Sequence, residues 1–294
     1  MAITDSCRSD VSVASAQLAP VFGDLARNRA RAEEAIRNAA GAGARLVVLP
    51  ELCTTGYAFA DESQARELGE PADGPTVTRW RELAAALRIV IVGGFCECDG
   101  GPPRNSAAIV DADGGLTVYR KTHLWDREQL LFVAGDTPPP VVATAAGRVG
   151  VAVCYDAFFP EVMRALALAG AELIAVPMNS PVMDPPGRTQ PLAVEVVQAL
   201  AAAGANRVFV VQADRTGRER GIEWAGASVI CDPDGRLLAG PVADFERPAL
   251  LTATCDLALA RDKRLGARND VFADRRADLY RDAATTNPTK ETVN

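Results

Sequence analysis

The stretch "RVGVAVCYDAFFPE", Arg148 to Glu161, decides the reading of the whole chain. Val149–Val153 is an apolar run of strand length, and Cys154 stands where it ends. A Pro-Glu pair then opens "PEVMRALALAGA", which has helical spacing, proline near its first turn and glycine near its end. "ELIAVPMN" returns to strand. Strand, helix and strand in succession, each strand apolar throughout, point to a sheet covered on both faces. A thiol placed where the buried strand breaks off also raises a chemical question: what takes its proton?

The same alternation extends outward. "VSVASAQLAP" alternates as a strand does, "DLARNRARAEEAIRNAAGAGA" is helical, and "RLVVLPE" is a short buried strand. "TVTRWRELAAALR" is helical, "IVIVGGFCEC" is strand, and "NSAAIVDADGGLTVYRK" reads as two strands joined by an Asp-Gly-Gly turn. Residues 122–144 read as loop. "PLAVEVVQALAAAGA" is helix, "RVFVVQAD" strand, "GASVICDPDGRLLAG" a strand pair, and "ALLTATCDL" a last strand. The expectation is a layered α/β fold in one domain over residues 1–281, followed by a polar tail, 282–294.

The 294 residues are 48% hydrophobic and 23% charged, an ordinary globular composition, with a net charge of −7. Acidic balance argues against nucleic acid or an anionic membrane as partner. No apolar run approaches the ~18 residues of a membrane span, and the first twenty residues lack a signal-peptide pattern. Seven cysteines, at 7, 53, 96, 98, 154, 231 and 255, read as reduced thiols of a cytoplasmic protein.

Three apolar strands end in chemistry-bearing residues: "LVVLPE" in Glu51, "LTVYRK" in Lys121, "VGVAVC" in Cys154. Ligands of open α/β sheets bind beyond the carboxyl ends of strands, so carboxylate, ammonium and thiol can share one pocket. Singly, Cys154 reads as core filler, Glu51 as a strand-end pair and Lys121 as solvated surface. "CEC", Cys96 and Cys98, lacks the second pair of ligands that a zinc site requires. Asn179 follows "LIAVPM" and is a candidate for the pocket rim; Trp125, Tyr57 and Phe158 are candidates for its walls.

"LPELCTTGY" (49–57), "YRKTHLW" (119–125) and "GVAVCYDAFFPEVMRALALAGAELIAVP" (150–177) resemble, in order, the three signature blocks of the nitrilase superfamily, the carbon–nitrogen hydrolases. "GASVICDPDGRLLAG" (226–240) and "DRRADLY" (274–280) extend the resemblance. It implies a four-layer α-β-β-α sandwich, a Glu51-Lys121-Cys154 triad, no metal or cofactor, and assembly into a homodimer or larger homo-oligomer. Glu128, in "KTHLWDREQLLF", stands where the family has a second glutamate.

The resemblance and the chemistry together answer the proton question. Glu51 is the expected base, and a helix start beyond Cys154 is expected to favour the thiolate. Lys121 and the backbone N–H of Tyr155 would hold an oxyanion, with Tyr57 and Asn179 contacting substrate. The sole histidine, His123, is a neighbour of the site that orients its loop. The expected reaction is hydrolysis of a small primary amide to acid and ammonia. Alternatives are an N-carbamoyl amidohydrolase, a nitrilase (whose signature resembles Cys-Trp-Glu, against Cys154-Tyr155-Asp156 here), a Cys-His hydrolase, and a non-catalytic binding module. Specificity is expected in loops 53–75, 123–140 and 178–190.

Overall fold

The structure, a computed structural model, describes residues 9–182, 192–242 and 247–280. They fall into two compact units dividing after Asp262. The first half of the larger unit runs β1 (Asp10–Gln17), α1 (Leu25–Gly41), β2 (Leu46–Val48), α2 (Glu62–Leu68), α3 (Pro75–Leu87), β3 (Val90–Glu97), β4 (Arg104–Val110) and β5 (Leu116–Arg120). The second half runs β6 (Val141–Thr144), β7 (Gly147–Val151), α4 (Pro160–Leu168), β8 (Leu173–Pro177), α5 (Val194–Asn206), β9 (Phe209–Ala213), a small hairpin β10 (Arg218–Glu219) and β11 (Ile222–Glu223), then β12 (Val229–Cys231), β13 (Leu237–Ala239), β14 (Ala249–Asp256) and α6 (Leu257–Arg261). The smaller unit holds a hairpin of β15 (Arg264–Gly266) and β16 (Asn269–Asp270).

Two six-stranded sheets result, in the orders β14-β1-β2-β3-β4-β5 and β13-β12-β9-β8-β7-β6. β1, β2 and β3 are parallel, as are β7, β8 and β9; antiparallel strands complete both sheets. The sheets face each other through β1, β2 and β3 on one side and β8 and β9 on the other. Ser15 Oγ crosses between them to donate to the carbonyl of Gln212 at 2.6 Å. Helices α1 and α3 cover the outside of the first sheet, α4 and α5 that of the second. This is the expected α-β-β-α sandwich.

Local sequence explains each layer. Ile36 of α1 and Trp80 and Leu83 of α3 are buried against Val47 and Ile91 of the sheet. Such side chains contribute about 1.5–3 kcal/mol each by burial. Asp24 caps α1 by accepting from Arg27 N–H, and Pro75 and Pro160 open α3 and α4, where a missing N–H costs nothing.

Three local expectations need correction. Residues 141–144, read as loop, form edge strand β6 on β7. The loop expected over 53–75 contains α2, capped by Asp61. The strand expected to reach Cys154 leaves the ladder at Val151; Ala152 and Val153 are fully buried without being strand, so their hydrophobicity reports burial alone. Residues 183–190 of the third specificity loop, and the tail from 281, lie outside the described residues.

Candidate active site

Glu51 follows a central strand of the first sheet, Lys121 the edge strand of that sheet, and Cys154 a strand next to the edge of the second. Glu51 comes three residues after β2, Lys121 directly after β5, and Cys154 three residues after β7, where it opens a 3-10 turn, Cys154–Phe158. A second 3-10 turn, Asp126–Leu130, carries Glu128. Leu52, Asp126 and Cys154 all have left-handed backbone, at φ of 44°, 45° and 48°. A side chain in that region costs about 1–3 kcal/mol. Strain of this kind, at Cys154 and beside Glu51 and Glu128, marks a constellation that the rest of the fold holds in place. Gly94 of β3 allows the approach: a Cβ there would lie 2.5 Å from Glu51 Cα and 2.7 Å from Leu52 N.

The structure brings Glu51, Lys121, Glu128 and Cys154 together. Glu51 is 0% exposed, Lys121 1% and Cys154 8%. Lys121 Nζ lies 2.7 Å from Glu51 Oε1 and 2.9 Å from both oxygens of Glu128. Glu128 also accepts from the Tyr57 hydroxyl at 2.7 Å and from Trp125 N–H at 3.0 Å. Asn179 is buried, its Nδ2 donating to the carbonyl of Glu51 at 2.9 Å, and its own carbonyl receives the Cys154 thiol at 3.7 Å. Glu51 Oε2 and Asn179 Oδ1 are buried with no hydrogen-bond partner among the described residues.

One ammonium thus faces two carboxylates, all three groups buried, and the proton affinities follow. Burial pushes Glu51 up, to about 7, although Lys121 pulls it down. Burial also works against the Lys121 ammonium, but Glu128 and Glu51 outweigh it and hold the group above the ordinary lysine value. Burial first, and the Glu51 charge next, push the Cys154 thiol well above its usual range. The helix start expected to favour the thiolate comes only at Pro160, and burial and the adjacent carboxylate both oppose ionisation of the sulfur.

Sequence reading passed over Asp156, two residues after the cysteine. Its Oδ1 accepts from Thr122 Oγ1 (3.0 Å), His123 N–H (3.0 Å) and His123 Nδ1 (2.8 Å); its Oδ2 accepts from Tyr119 OH (2.8 Å) and Val153 N–H (3.0 Å). One carboxylate so ties the residues flanking Lys121 to the residue before Cys154. Burial opposes its charge, but the bond from His123 and the Lys121 charge hold it below the ordinary aspartate value. His123 stacks on Phe159, ring centroids 3.9 Å apart. Asn105 and Glu219 were also passed over. Glu219 accepts from Tyr57 and Ala58 N–H at 2.8 and 2.7 Å, fixing the turn that carries Tyr57. Arg215 lies 2.7 Å from Glu219, a charge contact poorly angled for a hydrogen bond. Only Asp156 offered a signal, as an acid inside the otherwise apolar "VAVCYDAFF"; Asn105 stands at the edge of an apolar segment and Glu219 in the polar run "RTGRERG".

A pocket of about 130 Å³ opens over the thiol, lined by Cys154, Trp125, Tyr155, Phe158 and Met178, with Asn179, Ser180 and Glu195 as polar members. Trp125 and Phe158 wall it as expected; Tyr57 instead faces Glu128. The Cys96 and Cys98 thiols donate to the carbonyls of Ala65 and Gly101. Among the described residues no cluster of potential ligands fit for a metal ion occurs, and the six cysteines described are free.

The family model for carbon–nitrogen hydrolases matches residues 12–265. The chain belongs to the carbon–nitrogen hydrolases. Within this superfamily, that of the nitrilases, it is 39% identical to a nitrilase of Pyrococcus abyssi, over 92% of this chain and 99% of the relative. It is 36% identical to an N-carbamoylputrescine amidase of Arabidopsis thaliana, over 95% and 96%. Among solved structures, an amidase of Nesterenkonia sp. AN1 superposes with a TM-score of 0.75 at 26% identity, covering 96% of this chain and 99% of that one. That structure carries the acetamide moiety of fluoroacetamide on its active-site cysteine. A carbon–nitrogen hydrolase is an enzyme acting on C–N bonds, so the reading as a binding module falls away.

Proposed function

We propose that this hydrolase converts a small primary carboxamide to its carboxylic acid and ammonia through a thioester on Cys154. The observation that carries the reading is the unpartnered Glu51 Oε2, on the carboxylate whose charge acts most strongly on the thiol. In the first step Cys154 Sγ bonds to the carbonyl carbon and its proton passes to Glu51. The carbonyl oxygen becomes an oxyanion, held by the Lys121 ammonium and the backbone N–H of Tyr155. The C–N bond then breaks, and the nitrogen leaves as ammonia with the proton that Glu51 returns. Water attacks the thioester, giving its proton to Glu51. The C–S bond breaks, and the sulfur recovers a proton from Glu51. Glu128 keeps Lys121 charged and in place, Tyr57 donates to Glu128, and Asn179 stands at the pocket beside the substrate. His123 takes no part in proton transfer.

The aromatic lining of the pocket and its size favour a short, largely apolar acyl group. The likeness to the Nesterenkonia amidase supports the amide; that to the Arabidopsis enzyme supports an N-carbamoyl substrate as the second reading. A panel of primary amides, N-carbamoyl amines and nitriles, assayed for ammonia and carbon dioxide, separates them. An amidase releases acid and ammonia in equal amounts and no carbon dioxide. Activity confined to carbamoyl compounds, or equal turnover of the matching nitrile, would place the enzyme in another branch.

The match over 12–265 supports a single hydrolase domain within 1–281. Leu168 on α4 and Val197 on α5 are exposed apolar residues, which supports association between copies. Light scattering showing a fully active monomer at micromolar concentration would refute it. No helix among the described residues is long and apolar enough to cross a membrane, in keeping with action on a small molecule in the cytoplasm.

A further inference from the structure

Asn105 lies near the start of β4, opposite Cys96 of β3, and is 1% exposed. Its Nδ2 donates to Glu51 Oε1 at 2.7 Å and reaches Glu128 Oε1 at 3.4 Å. Its backbone carbonyl accepts Lys121 N–H at 2.9 Å. One residue therefore touches both carboxylates and the backbone of the lysine between them. The orientation of its amide is fixed by charge: turned over, it would set a carbonyl oxygen against two carboxylates. Glu51 Oε1 then holds two donors, Lys121 Nζ and Asn105 Nδ2, both at 2.7 Å, while Oε2 holds none among the described residues. Lys121 cannot impose this difference alone, because it is shared with both oxygens of Glu128.

We propose that Asn105 is a positioning residue for proton transfer: by filling Oε1 beside Lys121 it leaves Oε2 as the atom that takes the Cys154 proton, and it supports the carboxylate charge that burial opposes. The inference rests on the reading of Glu51 as the base. The bond from Asn105 lowers the proton affinity of Glu51, in the same sense as Lys121 and against the effect of burial. The other titratable groups that act on this cluster are Glu128, Cys154, Tyr57, Asp156 through its interaction with Lys121 and, from the segment after β9, Arg215. None of them replaces the Asn105 donor at Oε1. With the donor gone, Glu51 holds its own proton to higher pH and accepts that of the thiol less readily at lower pH.

The test compares wild type with Asn105→Thr and Asn105→Ala. Threonine suits a strand, and its hydroxyl is one bond too short to reach Glu51. The rate at which iodoacetamide alkylates Cys154 is followed against pH by mass spectrometry, which requires no turnover. In both variants the rise in reactivity is expected about one pH unit higher, hence about tenfold slower alkylation on the acidic side, the effect of one lost charge-assisted hydrogen bond. kcat for a primary amide should fall while KM stays near wild type. An alkylation profile that stays at the wild-type pH in folded Asn105→Thr overturns the proposal. Glu51→Gln separates the layers. If it leaves the alkylation profile of the wild type unchanged, Glu51 is not the base and both readings fall. If only the Asn105 variants match wild type, the role of Asn105 alone falls.

Discussion

Replacing Glu51 by glutamine should abolish turnover and yet stabilise the protein above neutral pH. In the wild type, one buried ammonium faces two buried carboxylates. Glu51→Gln leaves Lys121 with Glu128, a balanced pair. The glutamine carbonyl can still accept from Lys121 and Asn105, and its amide nitrogen takes the place of the unpartnered Oε2. The Glu51 carboxyl is raised from 4.5 to about 7 by burial. A raised acid binds its proton more tightly folded than unfolded. Stability is then fully present below the unfolded value and is lost as pH rises through the folded one. Holding the proton across about 2.5 pH units, at about 1.4 kcal/mol per unit, makes the ionised group cost about 3 kcal/mol above pH 7. After allowance for a weaker bond to Lys121, the variant should gain about 1–3 kcal/mol at pH 8, or about 2–6 °C in melting temperature. Urea unfolding of both proteins at pH 5 and pH 8 measures it. The gain should shrink towards pH 5. A Glu51→Gln protein less stable than wild type at pH 8, or a difference independent of pH, would refute the electrostatic argument.

Further outcomes follow from the same geometry. For wild type, kcat/KM on a primary amide should rise with pH up to about 7 as Glu51 ionises; a flat profile down to pH 5 would remove Glu51 as base. His123→Asn should retain activity within about tenfold, since an asparagine amide can still donate to Asp156 at a cost of about one hydrogen bond. Loss as complete as in Cys154→Ala would point to a Cys-His dyad instead. Asp156→Asn sets an NH2 group against the N–H of either Val153 or His123, so kcat should fall about a hundredfold, the effect of one charged hydrogen bond worth about 1.5–3 kcal/mol. Unchanged kinetics would show that the link between the lysine and cysteine turns is not needed.

The core of the site was legible because an apolar run that ends abruptly in Glu51, Lys121 or Cys154 reports both a buried strand and a group held at its end. The order of the surrounding blocks carried the family and its sandwich. Strand pairing was not legible: β14 pairs with β1 across some 240 residues, and nothing local to either strand specifies that register. Asn105 stayed hidden at the edge of the apolar segment "SAAIV", where an isolated polar residue reads as a strand end. Asp156 was visible but silent, since five donors from two separate segments give it its role. What opposes ionisation of Cys154 was hidden for a related reason. Sequence showed a coming helix start, but the opposing Glu51 charge arrives from β2, about one hundred residues earlier.

The most direct test of the account is the covalent state of Cys154 during turnover. Protein quenched in acid while hydrolysing a small primary amide, then digested and weighed, should show the acyl mass on the peptide holding Cys154 and on no other. Burst kinetics of ammonia release, equal to the number of active sites, should accompany it when thioester hydrolysis is the slow step. Turnover of the same amide by Cys154→Ala, or an acyl group found on another residue, would contradict the mechanism.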